Sequence, residues 1–209
     1  MSLRKGDRSP FSCMRGMEVS AAAIIKAFDS VNRGNGQLIM MVGLPASGKS
    51  TISDALVAAG WVRLNKDTLR KELYGDEAIQ GDVKEVNRLY YQRLEEALVA
   101  RKRIVVDNIN LNYFFRKGTI ERARLEGYRD ISNVVLKVPV EECIRRNAGR
   151  ERKVPDEVIR AHAATLYGGG MPTPSEGRVL VLEPGSGRFR FRVRRVRAPV
   201  FKPLAVKKS

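Results

Sequence analysis

Eight consecutive residues, Gly43-Leu44-Pro45-Ala46-Ser47-Gly48-Lys49-Ser50, fit the pattern G-x-x-x-x-G-K-[ST]. Glycines in such a loop let several backbone N–H groups converge on phosphate oxygens. Lys49 would reach the β- and γ-phosphates of a nucleoside triphosphate, and the Ser50 hydroxyl would ligate the Mg²⁺ that accompanies them. Gly43, Ser47, Gly48, Lys49, Ser50 and Thr51 are therefore the expected nucleotide-binding set, with ATP as donor. A glycine-rich turn without a ligand uses the same residue types. The flanks argue against it, because an apolar run precedes the motif and a helical pattern opens at Lys49, bringing its N-terminal partial positive charge.

Three further groups carry chemistry. Asp67 and Arg70 are spaced i, i+3, so a helix starting here presents both on one face. One reading is catalytic: transfer to a hydroxyl needs a carboxylate to accept its proton, and an adjacent arginine grips a phosphate on the acceptor. The other is a capping aspartate in an ordinary intrahelical ion pair. Asp107 ends the apolar run Arg103–Asp107 and would point at the phosphate site, either as a Mg²⁺ ligand or as a turn residue before Asn108. Arg145, Arg146, Arg150, Arg152 and Lys153 cluster between two helical patterns. They suit a mobile lid that neutralises a migrating phosphoryl group, or a solvated helix end. Tyr90 falls at core spacing with Val86 and Leu94, whereas Tyr91 fits either core or a stacking role. His162 has no partner in the sequence and reads as structural; Cys143 and Trp61 read as buried.

The elements that must position these groups alternate. Short apolar runs at Gln37–Val42, Trp61–Leu64, Arg103–Asp107, Asn133–Val138 and Val179–Leu182 read as buried strands. Helical patterns lie at Lys49–Ala59, Asp67–Tyr74, Asp82–Arg101, Tyr113–Glu126, Val140–Arg150 and Pro155–Leu166. This alternation predicts an α/β, three-layer fold with a mostly parallel sheet. Before it, residues 1–17 read as an irregular basic arm and Glu18–Val31 as a short amphipathic helix, ended by Gly34-Asn35-Gly36. Gly168–Gly177 reads as a flexible linker. After it, Arg188–Val196 alternates Phe189, Phe191 and Val193 with Arg188, Arg190, Arg192 and Arg194, the signature of a two-faced strand. Gly185-Ser186-Gly187 would close a hairpin with Val179–Leu182. The expected organisation is an arm and helix at 1–36, a P-loop kinase domain at 37–183 and a basic strand or tail at 184–209.

Composition sets the outer limits. The chain has 209 residues, room for one ordinary domain with a proper core. Two distant cysteines imply no disulfide framework and, with a single histidine, no zinc site. A reduced, cytoplasmic setting is the default expectation, with no membrane association through a spanning segment. Lys26 interrupts the stretch Ala21–Phe28, so no cleavable signal is expected there. The net charge is +16, and residues 176–209, with ten basic and two acidic side chains, supply +8 of it. Such a balance attracts nucleic acid or an anionic surface, or is simply a solvated tail. Nothing in the sequence sets an oligomeric state.

In chain order, Gly43–Thr51, Asn65-Lys66-Asp67-x-x-Arg70, Val106-Asp107-Asn108-Ile109-Asn110 and Arg146-Asn147-x-x-Arg150 resemble the motifs of polynucleotide 5′-hydroxyl kinases, particularly the bacteriophage type. Val138-Pro139-Val140-x-Glu142 and Val154-Pro155-x-x-Val158-Ile159 are similar too, and the likeness covers Gln37 to Leu166. The resemblance implies Asp67 as the base for the 5′-hydroxyl and Arg70 as the ligand of the phosphate on the 3′ side of the acceptor nucleoside. It implies Lys49 and Ser50 on the donor phosphates and Mg²⁺, and Arg150 with Arg146 as lid residues on ATP. It gives the loop role to Asn108 or to Asp107. It further implies a nucleic acid with a 5′-OH end as partner and a place in nucleic-acid end repair. Some bifunctional relatives carry a phosphatase built on a D-x-D-x-T motif; no D-x-D occurs here, so kinase activity alone is expected. The basic tail lies outside the resemblance and would add phosphate contacts. Two alternatives stand beside this reading: a kinase of a small hydroxylated molecule such as a sugar, nucleoside or antibiotic, and an ATP-dependent nucleic-acid-binding module without phosphotransfer.

Overall fold

The computed structural model describes Met14 and residues 18–31, 36–185 and 190–196. The chain runs β1 (Glu18–Ser20), α1 (Ala21–Val31), β2 (Gln37–Gly43), α2 (Lys49–Ala58), β3 (Val62–Leu64), α3 (Lys66–Tyr74), α4 (Val83–Val99) and β4 (Arg103–Asp107). It continues through α5 (Tyr113–Leu125), β5 (Asp130–Leu136), α6 (Val140–Ala148), α7 (Asp156–Thr165), β6 (Arg178–Pro184) and β7 (Arg190–Val196). The seven strands form one sheet in the order β1-β7-β6-β5-β2-β4-β3. Strands β3, β4, β2, β5 and β6 are parallel neighbours, while β7 runs antiparallel to both β6 and β1.

The three layers follow from β2, which is buried along its whole length. Ile39 and Met41 join a core with Phe28 of α1, Ile52 and Leu56 of α2, and Trp61. The alternate residues Leu38 and Met40 join Leu69, Tyr90, Leu94 and Ile120 from α3, α4 and α5. Val42 continues that face into the cluster with Cys143 and Ile159 of α6 and α7. A strand covered on both faces must be apolar at every position, which is why β2 shows no period of two. Trp61, Cys143 and Tyr90 are core residues, as their sequence positions suggest.

Three local expectations change. Glu18–Ser20 is strand rather than helix, with Glu18 opposite Arg192 and Ser20 opposite Arg190. The Ser20 hydroxyl then accepts the Ala23 N–H at 3.2 Å, capping the helix that begins at Ala21. Strand β5 starts at Asp130, three residues before the apolar run, because its carboxylate takes hydrogen bonds from Gln37 at 2.7 Å and Arg178 at 2.9 Å. Gly168–Gly177 is not a loose linker. Leu166–Gly170 forms a π turn, Pro174–Glu176 a 3₁₀ turn inside a Thr173 capping box, and Glu176 is buried.

The C-terminal hairpin pairs Val179 with Val196 through to Pro184 with Phe191. Phe191 and Val193 are buried, and Arg190, Arg192 and Arg194 are exposed on the other face. Residues 1–13 and 15–17 of the expected arm, Gly34-Asn35, residues 186–189 with Arg188 and Phe189, and the tail from 197 lie outside the described residues. Among the described residues, no helix is long and apolar enough to cross a membrane.

Candidate functional site

A cavity of about 1770 Å³ opens beyond the ends of the parallel strands and reaches Pro184 at the end of β6 and Arg190 and Phe191 at the start of β7. The phosphate-loop residues lie on one side of it. Gly43 has φ +153°, and a Cβ there would stand 3.0 Å from the Leu136 carbonyl oxygen and 3.1 Å from Ser47 Oγ. Gly48, at φ 99°, is the left-handed N-cap of α2 and supplies no side-chain cap. The first N–H groups of α2, from Lys49, Ser50 and Thr51, therefore have neither intrahelical nor capping acceptors. Ser47 Oγ is buried without a described partner. Ala46 holds φ 59°, a left-handed conformation that costs a non-glycine residue free energy. Lys49 is only 8% exposed, and its Nζ folds back onto the Gly43 and Leu44 carbonyls at 3.0 and 2.7 Å. Burial pulls its pKa from 10.5 down to about 8, against the upward pull of Asp107 and Asp67; Arg150 pushes it further down.

Facing the phosphate loop, the start of α3 is held by side chains from two loops. Asn65 caps α3, its Oδ1 accepting from Asp67 N at 2.7 Å and Thr68 N at 3.1 Å, while its Nδ2 donates to the Asp107 carbonyl. Asn108 Oδ1 accepts from Lys66 N at 2.9 Å. These bonds fix where Asp67 stands. Its Oδ1 pairs with Arg70 Nη1 and its Oδ2 lies 3.7 Å from Arg152 Nη1. The Arg70 side chain is 17% exposed, and its buried Nε has no described partner. Asp107 is buried, and its Oδ2 pairs with Arg63, which also holds Asp54 at 2.6 Å.

The arginines expected to form a lid, Arg145, Arg146, Arg150 and Arg152, all line the cavity. Arg145 and Arg146 both donate to Glu142, Arg146 at 2.6 Å, which lowers the Glu142 pKa to about 2. Asn147 is buried and closes the loop to Val154 with two bonds, donating at 2.7 Å and accepting at 3.1 Å. All of the expected residues Gly48, Lys49, Ser50, Thr51, Asp67, Arg70, Asp107, Arg146 and Arg150 line this one cavity, as does Ser47. Gly43 does not line it; its carbonyl holds Lys49 from below.

Several residues in and around the site hold positions that the sequence does not assign to them. Arg116 is 1% exposed, donates to both carboxylate oxygens of Glu176, and anchors the Asn110, Leu111 and Gly170 carbonyls. Lys66 donates to Asn87 at 2.7 Å and sits 4.2 Å above the Phe115 ring. Burial, then Arg70, lowers its pKa. His162 also lines the cavity, and burial with the Lys49 charge lowers its pKa. Lysine and arginine are common enough that only the folded neighbourhood separates these from surface charges.

The donor set fits a Mg²⁺ ion carried on phosphates. Ser50 offers a hydroxyl beside the open N–H groups, and Asp107 a buried carboxylate. Among the described residues no cluster of three His, Cys, Asp or Glu side chains forms a dedicated metal cage. Mg²⁺ needs none, since it keeps waters and takes substrate phosphates as ligands.

Residues 38–168 match the family model described as an AAA domain. Over 130 residues the chain is 28% identical to the L-seryl-tRNA(Sec) kinase of Methanococcus maripaludis, covering 59% of this chain and 49% of that protein. The chain thus spans about half the length of that curated relative. Among solved structures, the Pnkp1/Rnl/Hen1 RNA repair complex contains a chain that superposes with a TM-score of 0.57 at 22% identity, over 66% of this chain and 46% of that one. The AvrRxo1-ORF1:-ORF2 complex with ATP gives 0.56 at 16% identity, over 90% and 63%. At these identities the two structures support the fold alone.

Proposed function

The chain belongs to the AAA domain family, and from that premise we propose that it is a P-loop kinase that transfers the γ-phosphoryl group of ATP to the 5′-hydroxyl end of a polynucleotide, DNA or RNA. One observation carries the reading. Asp67 and Lys49 line one cavity, and beside Asp67 the guanidinium of Arg70 keeps a buried Nε free of any described partner. A proton acceptor next to an under-used guanidinium suits a hydroxyl whose own molecule carries a phosphodiester.

In this mechanism Lys49 and the first N–H groups of α2 hold the β- and γ-phosphates. The acceptor phosphodiester competes for Arg70 and so releases Asp67 from its ion pair. Asp67 takes the proton as the 5′-oxygen bonds to the γ-phosphorus. The bond from that phosphorus to the β,γ-bridging oxygen breaks, and ADP leaves. Arg150, with Arg146, stabilises the charge on the migrating group. Ser50 and Asp107 would hold Mg²⁺, which when bound neutralises charge on the β- and γ-oxygens. Exposed Arg192 and Arg194 on β7 draw the polyanion toward the protein at long range. End repair is the cellular task that fits this chemistry.

The similarity to a seryl-tRNA kinase supports a second reading, in which the acceptor hydroxyl is on an amino acid carried by tRNA. Labelled transfer from γ-³²P-ATP separates the two, using matched 5′-OH and 5′-phosphate oligonucleotides, L-seryl-tRNA and free nucleosides as acceptors. The first reading expects label on the 5′-OH strand and none on its 5′-phosphate twin. Label confined to seryl-tRNA replaces it with the second, and label on free nucleosides alone assigns a small-molecule kinase.

A further inference from the structure

The lining of the cavity includes a compartment that phosphoryl transfer itself does not require. Its walls are the loop between α3 and α4, the middle of α4 and the first turn of α5, contributing Glu77, Gln80, Tyr91, Phe114 and Phe115. The two phenylalanines are placed very differently. Asn112 caps α5 by accepting the Phe115 N–H at 3.0 Å, which sets the direction of both side chains. Phe115 turns inward against Tyr90, with ring centroids 5.2 Å apart, and the Lys66 ammonium lies over its ring. Phe114 is 78% exposed at the rim and meets only the edge of Tyr113 among described rings, at 5.5 Å.

An aromatic ring left at the mouth of a cavity, while its neighbour completes the core, offers an unused stacking face. Three cations, Lys66, Arg70 and Arg152, line the same cavity as that face and the phosphate loop. The exposed amide of Gln80 lies in the same compartment and can both donate and accept. A ligand that is flat, has amide-like edges and carries a phosphate on the side nearer Asp67 satisfies all three features. A polyol without a phosphate satisfies only the amide.

We propose that this compartment binds the nucleobase of the acceptor's 5′-terminal nucleoside, stacked on Phe114 with Gln80 at its edge. The proposal rests on the polynucleotide reading and names the part of the substrate that site would grip. The stacking is sequence-tolerant, because every base has a π-face, so it sets a requirement for a base rather than for a particular base.

Two measurements on the full chain test it. The first is fluorescence of an oligonucleotide bearing 2-aminopurine at its 5′-OH terminus, titrated with protein without ATP. Quenching is expected with the wild type and with Phe114→Trp, and its loss with Phe114→Ala. The second is labelled transfer to that strand and to one whose 5′-terminal nucleotide is abasic. Phe114→Ala should raise KM roughly tenfold for the base-bearing strand and leave KM for the abasic strand little changed. Equal losses on both strands, or quenching that survives Phe114→Ala, overturns the proposal while transfer itself upholds the polynucleotide reading. Quenching that depends on Phe114 without transfer to any strand upholds the base site and overturns that reading. Neither quenching nor transfer overturns both.

Discussion

Asp67 and the arginines of β7 stand toward opposite ends of one sheet. Strand β3, which leads into α3, is the last strand on one side, and β7 is next to last on the other. Five strand spacings separate them, about 24 Å at the usual interval. That strand spacing is roughly three Debye lengths at physiological salt, yet Arg190, at the start of β7, lines the same cavity as Asp67. The two regions also hold their cations differently. Around α3, Arg63, Lys66 and Arg70 are largely withdrawn from water and committed to Asp107, Asn87 and Asp67. On β7, Arg190, Arg192 and Arg194 project from a strand whose other face is buried, and Arg194 meets Glu183 at 3.0 Å as a surface pair. The densest run of charge thus enters the cavity at Arg190, while Arg192 and Arg194 do not line it. Withdrawn charges set geometry; exposed ones set reach and salt sensitivity.

The sharpest way to test this contrast is to break one ion pair from each class. Glu176→Ala leaves Arg116 charged and buried without its carboxylate, and loosens the Asn110–Leu111 loop it anchors. A loss of about 3–5 kcal/mol in denaturant unfolding is expected. Arg194→Ala removes a surface pair and should change stability by no more than about 1 kcal/mol. Similar losses from both would erase the distinction.

A second test uses Lys49. Its pKa in the folded chain lies below its value in the unfolded chain, so the folded state binds fewer protons between about 8 and 10.5. Stability should therefore rise with pH across that window and carry the full penalty of the buried ammonium below it. Lys49→Met should raise stability at pH 7 by up to about 3 kcal/mol, less what is lost from the bonds to Gly43 and Leu44, and flatten the slope between pH 8 and 10.5. Thermal unfolding across that range checks it, and an unchanged slope would show that Lys49 is not withdrawn from water.

The smallest effect belongs to β7. Arg192→Gln with Arg194→Gln should reduce the salt slope of single-strand binding by up to about 1.4, at roughly 0.7 for each phosphate no longer neutralised. Oligonucleotide binding across a salt series measures it. An unchanged slope would remove β7 from the nucleic-acid interface.

Much of this was legible in the sequence, for identifiable reasons. The phosphate loop, the Asp67–Arg70 pair and the Asp107 strand end are local patterns, and local patterns survive translation into structure. The hairpin was legible because Phe191 and Val193 alternate with arginine over several residues. What escaped depended on partners far along the chain. Ser20 is a strand end because β7 lies beside it, and Gly168–Gly177 is ordered because Arg116 reaches Glu176. Phe114 and Phe115 are identical letters whose roles part only when Lys66 covers one of them. Asp107, which sequence leaves between metal ligand and turn residue, proves also to be the partner of Arg63.

The most direct test of the central claim pairs two readings on one variant: γ-phosphoryl transfer to a 5′-OH oligonucleotide and ATP binding by calorimetry, with Asp67→Ala beside the wild type. If Asp67 is the base, transfer should fall by about 10²–10⁴ while ATP affinity stays near that of the wild type. Undiminished transfer, or a loss of ATP binding that accounts for the lost transfer, would contradict the role given to Asp67.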